Sequence, residues 1–114
     1  MDPNTRELLI EEISCIKKSL EREQIHFERM FAMNGQPRYQ DWANIFKNNV
    51  DVLNSIDWDT FEFTQDSVTD LYRTLTYSCA CDITSVAYHL GLDEGIDYSQ
   101  VEADVTDAEE ERDL

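Results

Sequence analysis

Residues 3–33 read PNTRELLIEEISCIKKSLEREQIHFERMFAM, and their periodicity decides the fold. Leu9, Ile13, Ile16, Leu20, Phe27 and Phe31 follow one another at steps of 4, 3, 4, 7 and 4, the repeat that brings side chains to one face of a helix. Gln24 occupies the missing middle step, and Leu8, Ile10, Ile25 and Met30 widen the stripe. Asn4 or Thr5 can cap the start, with Glu7 three residues after Asn4 as a capping box requires. The spacing predicts a single helix of about 28 residues, longer than most helices of globular proteins. A break near Glu21–Glu23 would divide it, but neither Gly nor Pro marks one there. A near-heptad stripe of this length suits a core face or a dimer seam. Leu9, Ile13, Ile16, Leu20, Phe27 and Phe31 are therefore the candidates for either.

Working outward, Asn34-Gly35-Gln36-Pro37 is a strong stop: Gly35 can take the left-handed cap, and Pro37 prevents the helix from resuming. From Tyr39 to Asn54 the apolar residues Tyr39, Trp42, Ala43, Phe46, Val50 and Leu53 recur at helical spacing, which predicts a second helix with Trp42 and Phe46 as core residues. Residues 55–63 fit an extended loop or one helical turn. Trp58 there either locks the loop onto the core or stands as an exposed anchor rimmed by carboxylates. A third run, Val68, Leu71, Leu75, Cys79, Ile83, Val86 and Leu90, has steps of 3, 4, 4, 4, 3 and 4. It predicts a long helix ending at Gly91, with a kink or break expected near Ser78–Asp82, where Asp82 can cap a helix beginning at Ile83. The fold class is all-α: a small helical bundle with a long N-terminal helix, a second helix, a long or kinked third helix and an acidic C-terminal tail. Residues 1–98 are expected to form a single helical domain and residues 99–114 a tail that is partly ordered at most. Ile96, Tyr98, Val101 and Val105 would tether its first part, with fraying beyond Val105.

Charge sets the class of partner. The 114 residues hold 25 Asp and Glu against 9 Lys and Arg, a formal net charge of -16, whereas small soluble domains usually carry a magnitude of roughly 2–8. At 41% apolar residues the chain can still bury a core. A field of this sign repels nucleic acid and anionic membrane surfaces and attracts basic proteins. The expected partner is a basic nucleic-acid-binding protein, with no direct contact to nucleic acid or membrane. The charge is uneven along the chain. Residues 92–114 contain ten acids and one base, whereas the first 37 residues are nearly balanced, which suits a homodimer through the N-terminal helix. The candidate partner-binding residues are Asp41, Asp51, Asp57, Trp58, Asp59, Glu62, Asp66, Asp70, Asp93, Glu94 and Asp97.

Signals for chemistry are sparse, so the chain reads as a binding protein and not an enzyme. Cys79-Ala-Cys81 has one residue between its thiols, where zinc sites and redox pairs prefer two or more. Cys15 and Cys79 read as small buried hydrophobes. His26 and His89 have no evident nucleophile beside them. Asp57-Trp58-Asp59 and Asp93-Glu94-Gly95-Ile96-Asp97 do not follow the ligand order of a calcium loop. No metal site and no cofactor are expected. Three cysteines and an N-terminus without a basic, apolar leader point to a cytoplasmic protein, in the host cytoplasm if the chain is viral.

The stretch Pro37-Arg38-Tyr39-Gln40-Asp41-Trp42-Ala43-Asn44-Ile45-Phe46, the helical run from about Asp66 and the Glu-rich end resemble the phage anti-restriction DNA-mimic proteins of the Ocr type. Lys17, Lys18 and Arg22 on the N-terminal helix depart from that pattern. The resemblance implies a DNA-mimic inhibitor that occupies the basic nucleic-acid-binding groove of a DNA-processing or restriction/defence protein. The alternative is an acidic chaperone or adaptor for a histone-like or other basic protein.

Overall fold

The computed structural model describes the backbone of residues 2–113 and the side chains of residues 2–106. Every regular element among them is helical: α1 (Pro3–Asn34), α2 (Pro37–Ser55), α3 (Gln65–Thr74), α4 (Tyr77–His89) and α5 (Tyr98–Asp113). The chain divides into two compact units, Met1–Asp59 and Thr60–Leu114. The sequence suggested one domain over residues 1–98 and a separate tail.

The first unit is an antiparallel helical hairpin. α1 starts two residues earlier than a cap at Asn4 would place it. Asp2 is the N-cap, its side chain accepting from the Asn4 N–H at 3.4 Å, and Pro3 follows at the first helical position, where its fixed φ fits and no N–H is lost. No break interrupts the helix at Glu21–Glu23. It ends at Gly35, whose φ of 68° is left-handed and whose N–H reaches the Phe31 carbonyl at 2.7 Å. At the loop end of the hairpin, Phe27 lies 6.2, 6.0 and 5.7 Å from the rings of Tyr39, Trp42 and Phe46. Further along, Lys17 Nζ donates to Asn54 Oδ1 at 3.3 Å. At the open end Arg6 Nη1 donates to the Trp58 carbonyl at 2.6 Å. Leu9 and Ile13 are fully buried, and Ile16, Leu20, Phe27 and Phe31 are half-buried. These six positions thus turn inward within the chain, whereas Leu8, Ile10 and Ile25, expected to widen the stripe, are exposed.

Of the two readings of Trp58 the lock holds and the anchor does not, and the expectations for Trp42 and Cys15 change. Trp58 is buried, and its Nε1 donates to the Leu53 carbonyl at 3.1 Å. The indole satisfies a carbonyl at the end of α2 and locks the following loop, so it is no exposed anchor. Trp42, expected in the core, is 48% exposed: stacking on Phe27 and Phe46 covers one side of the indole. Cys15, expected to be buried, is exposed, because the inward arc of α1 passes through Ile13 and Ile16.

The second unit packs α3 against both α4 and α5. α3 opens with a capping box: Thr64 Oγ1 accepts from the Ser67 N–H at 3.1 Å, and Ser67 Oγ accepts from the Thr64 N–H at 2.8 Å. The predicted third helix is two helices, and the break falls at Leu75–Thr76, earlier than expected. Both residues are extended, with ψ of 162° and 153°. Asp82 is exposed within α4 and caps nothing. Leu75 remains buried through the turn, and Val68, Leu71, Cys79, Ala80, Ile83, Ala87 and Val101 complete the core.

α4 ends in a Schellman motif at Gly91 (φ 72°). The Gly91 N–H reaches the Tyr88 carbonyl and the Leu92 N–H the Ala87 carbonyl, at 3.1 and 2.8 Å, which satisfies carbonyls the helix leaves free. The segment expected to fray past Val105 continues α5 to Asp113. Ala108 and Glu109–Glu111 have high helix propensity, and Val101 anchors the first turns. Among the described residues, no helix is long and apolar enough to cross a membrane.

Candidate partner-binding surface

The unit boundary is also a charge boundary. Residues 1–59 hold eleven acids and seven bases, whereas residues 60–114 hold fourteen acids and two bases, Arg73 and Arg112, for a net charge of -12. Three quarters of the net charge therefore lies in the smaller half of the chain.

The candidate acids differ in what their carboxylates do. In the first unit, Asp41 and Asp59 are exposed. Asp51 pairs with Lys47 at 2.9 Å, and Asp57 Oδ1 accepts from the Asp59 N–H at 3.1 Å, closing a turn. In the second unit, Glu62, Asp66, Asp70, Glu94 and Asp97 are exposed and Asp93 is half-buried. Asp66 lies in the first turn of α3, where the helix dipole favours a negative charge. Asp70 is 4.0 Å from Arg73, an exposed pair that neutralises little. Asp97 accepts from the Gln100 N–H at 3.2 Å and so caps α5. Gln65 bonds at two points to the Asp97 backbone, which brings the start of α3, with Asp66, beside the start of α5. Among the described residues, Asp41, Glu62, Asp66 and Glu94 have no ion-pair partner.

The second unit also contains a cleft that the sequence did not reveal. Four of the chain's five tyrosines, Tyr72, Tyr77, Tyr88 and Tyr98, line an open cleft of about 400 Å³ with Cys81, Thr84, Asp93 and Glu102. α3, α4, the Asp93 turn and α5 each supply part of the wall. Its inner side is a hydrogen-bonded floor. Tyr72 Oη lies 3.1 Å from Thr84 Oγ1 and 3.6 Å from Cys81 Sγ, Thr84 Oγ1 donates to the Ala80 carbonyl at 3.1 Å, and Tyr98 Oη donates to Asp93 Oδ2 at 3.1 Å. Burial pushes the Tyr72 hydroxyl up to about 12. Burial, aided by the hydrogen bond to Asp93, does the same to Tyr98. The hydrogen bond to Cys81 raises Tyr77. These hydroxyls stay neutral at physiological pH and serve as hydrogen-bonding groups. Tyr77 and Tyr88 are 66% and 69% exposed at the rim, so aromatic surface is open to solvent. Because these tyrosines come from three helices at irregular spacing, no local pattern announces the cleft.

Burial, followed by the nearby Asp82 charge, pushes the Cys79 thiol up to about 11, which suppresses the thiolate. Among the described residues, no group of three His, Cys, Asp or Glu side chains is arranged to hold a metal ion. No protein-family model, curated protein or solved structure matches the chain.

Proposed function

We propose that the chain is a non-catalytic DNA-mimic inhibitor that occupies the basic nucleic-acid-binding groove of a DNA-processing or restriction/defence protein, acting in the cytoplasm of the cell where that target works. The observation that carries this reading is the placement of fourteen acids against two bases on residues 60–114, a unit built of helices. Duplex DNA carries about one negative charge per 1.7 Å of axis, and grooves that bind it gain affinity by neutralising those charges. Carboxylates on helices are held on a frame with a rise of about 1.5 Å per residue. They meet such a groove without the ordering cost that a disordered acidic chain would incur. Asp66 and Asp70 stand exposed on α3, and Glu62 and Glu94 stand exposed in the segments that lead into α3 and α5.

The alternative, an acidic chaperone or adaptor for a histone-like protein, is favoured by one feature: five of the fourteen acids lie at residues 107–113. The test is capture from a cell lysate on the immobilised full chain at low and high salt, with excess duplex DNA as competitor. A mimic captures nucleic-acid enzymes that the duplex displaces. Capture that DNA leaves untouched refutes the mimic reading. Removing residues 107–114 then separates the two. A mimic retains most of its binding, whereas a chaperone loses nearly all of it. The cut falls after Thr106 because Val101 is buried and must stay.

A further inference from the structure

We propose that the tyrosine cleft of residues 60–114 is a receptor for a single arginine side chain presented by the basic protein partner. The proposal rests on the reading of this chain as a binder of such a protein and assigns the point of recognition on it.

Four kinds of observation converge on a cation. Tyr72, Tyr77, Tyr88 and Tyr98 line the walls, and an aromatic ring attracts a positive group placed over its face. Two carboxylates, Asp93 and Glu102, stand in the same lining. The hydroxyl oxygens of Tyr72 and Tyr98, positioned by their bonds to Thr84 and Asp93, can accept from a cation that has only donors. The surrounding unit has a net charge of -12, which concentrates cations at its surface and disfavours an anionic ligand.

Arginine fits better than lysine on shape and chemistry. Its guanidinium is planar, so it stacks on a tyrosine face while its edge forks onto a carboxylate, and it is more weakly hydrated than an ammonium group. Asp93 Oδ2 is occupied by Tyr98 Oη, which fixes the carboxylate in place. Glu102, exposed on the second turn of α5, offers a second carboxylate to an incoming fork. Proteins that bind DNA carry arginines aimed at phosphates and guanine edges. A groove emptied of DNA therefore presents the side chain this cleft is shaped to take.

The experiment is a titration of the full chain, with isotope-labelled tyrosine rings, by Nα-acetyl-arginine methylamide at low salt. The citrulline counterpart, which has the same shape without the charge, runs beside it, as do the lysine counterpart and spermidine. Saturable movement of the Tyr77, Tyr88 and Tyr98 ring signals with arginine, while Tyr39 in the other unit stays still, supports the proposal. Tyr88→Leu, which keeps apolar bulk and removes the π face, and Glu102→Gln, which keeps volume and removes charge, are each expected to weaken binding about tenfold. Both positions are exposed, and unchanged helical circular dichroism confirms the fold. An equal response to citrulline, tighter binding of lysine or spermidine than of arginine, or arginine binding unaltered by both substitutions would overturn it. Because the probe is one amino acid, this result is independent of whether duplex DNA competes for the protein partner.

Discussion

Gln65 and Asp97 are joined at two points: Gln65 Nε2 donates to the Asp97 carbonyl at 2.9 Å, and the Asp97 N–H donates to Gln65 Oε1 at 2.8 Å. The amide of one side chain thus satisfies both backbone groups of a residue 32 positions away and ties the start of α3 to the start of α5. Gln65→Ala removes both bonds and is expected to cost about 1–2 kcal/mol, the range for two partly exposed hydrogen bonds. Gln65→Glu loses the donor and adds an acid near Asp66 and Asp97, so it should cost at least as much. Chemical denaturation of the full chain, with hydrogen exchange at the start of α5 as the local readout, checks both.

Trp58 separates a structural role from a binding role. Its burial and its bond to the Leu53 carbonyl lead to an expected loss of about 3–5 kcal/mol for Trp58→Ala, the usual cost of truncating a buried aromatic. Trp58→Phe keeps most of the packing and loses the hydrogen bond, at about 1 kcal/mol. Partner affinity of the folded Trp58→Phe protein should equal that of the parent. A large affinity loss at unchanged stability would restore the anchor role that the sequence suggested.

The alkaline limb of stability should be steep. Tyr72 and Tyr98 titrate at about 12 in the folded chain, against 10.0 for an ordinary tyrosine. A raised folded value means the native state holds a proton that the unfolded state has released. Stability from this source is fully present below about pH 10 and falls as pH rises towards 12. Tyr72→Phe and Tyr98→Phe are expected to flatten that fall. Denaturation midpoints measured between about pH 9 and 12, with tyrosinate absorbance in parallel, test the sign.

Thiol reactivity should separate the cysteines. Cys15 is exposed, and Cys79 is buried with its thiol raised to about 11. At neutral pH an aromatic disulfide reagent should modify Cys15 quickly and Cys79 only when the unit opens. Cys15→Ser is expected to abolish a fast phase, and denaturant is expected to release Cys79. Rapid labelling of Cys79 in the native chain would contradict its placement.

The sequence carried the helices better than their grouping. α1 was legible because Leu9 to Phe31 hold one period between Pro3 and Gly35, and chain-breaking residues sit at both ends. The turn at Leu75–Thr76 was not, because Val68, Leu71, Leu75 and Cys79 keep helical steps across it and no Gly or Pro interrupts them. Leu75 stays in the core on either reading, so the pattern of burial is blind to the break. Exposure of the acids was legible from composition, but their separate duties were not. Asp97 as a cap and Asp93 as a partner of Tyr98 depend on a helix beginning at Tyr98, which the reading of residues 99–114 as a tail hid. The tyrosine cleft was invisible for the same reason, since Tyr72 and Tyr98 meet only through the packing of α3 on α5.

The most direct test of the DNA-mimic reading is the effect of neutralising ordered carboxylates on DNA-competable capture. Glu62→Gln, Asp66→Asn, Asp70→Asn and Glu94→Gln together remove four exposed charges of residues 60–114 and leave Asp93 and the cap Asp97 intact. With helicity unchanged, the combined variant is expected to lose most of the capture that duplex DNA displaces from the parent chain, and the remainder should depend less steeply on salt. Capture equal to the parent's, with the same salt dependence, would contradict the claim that these carboxylates stand in for phosphates.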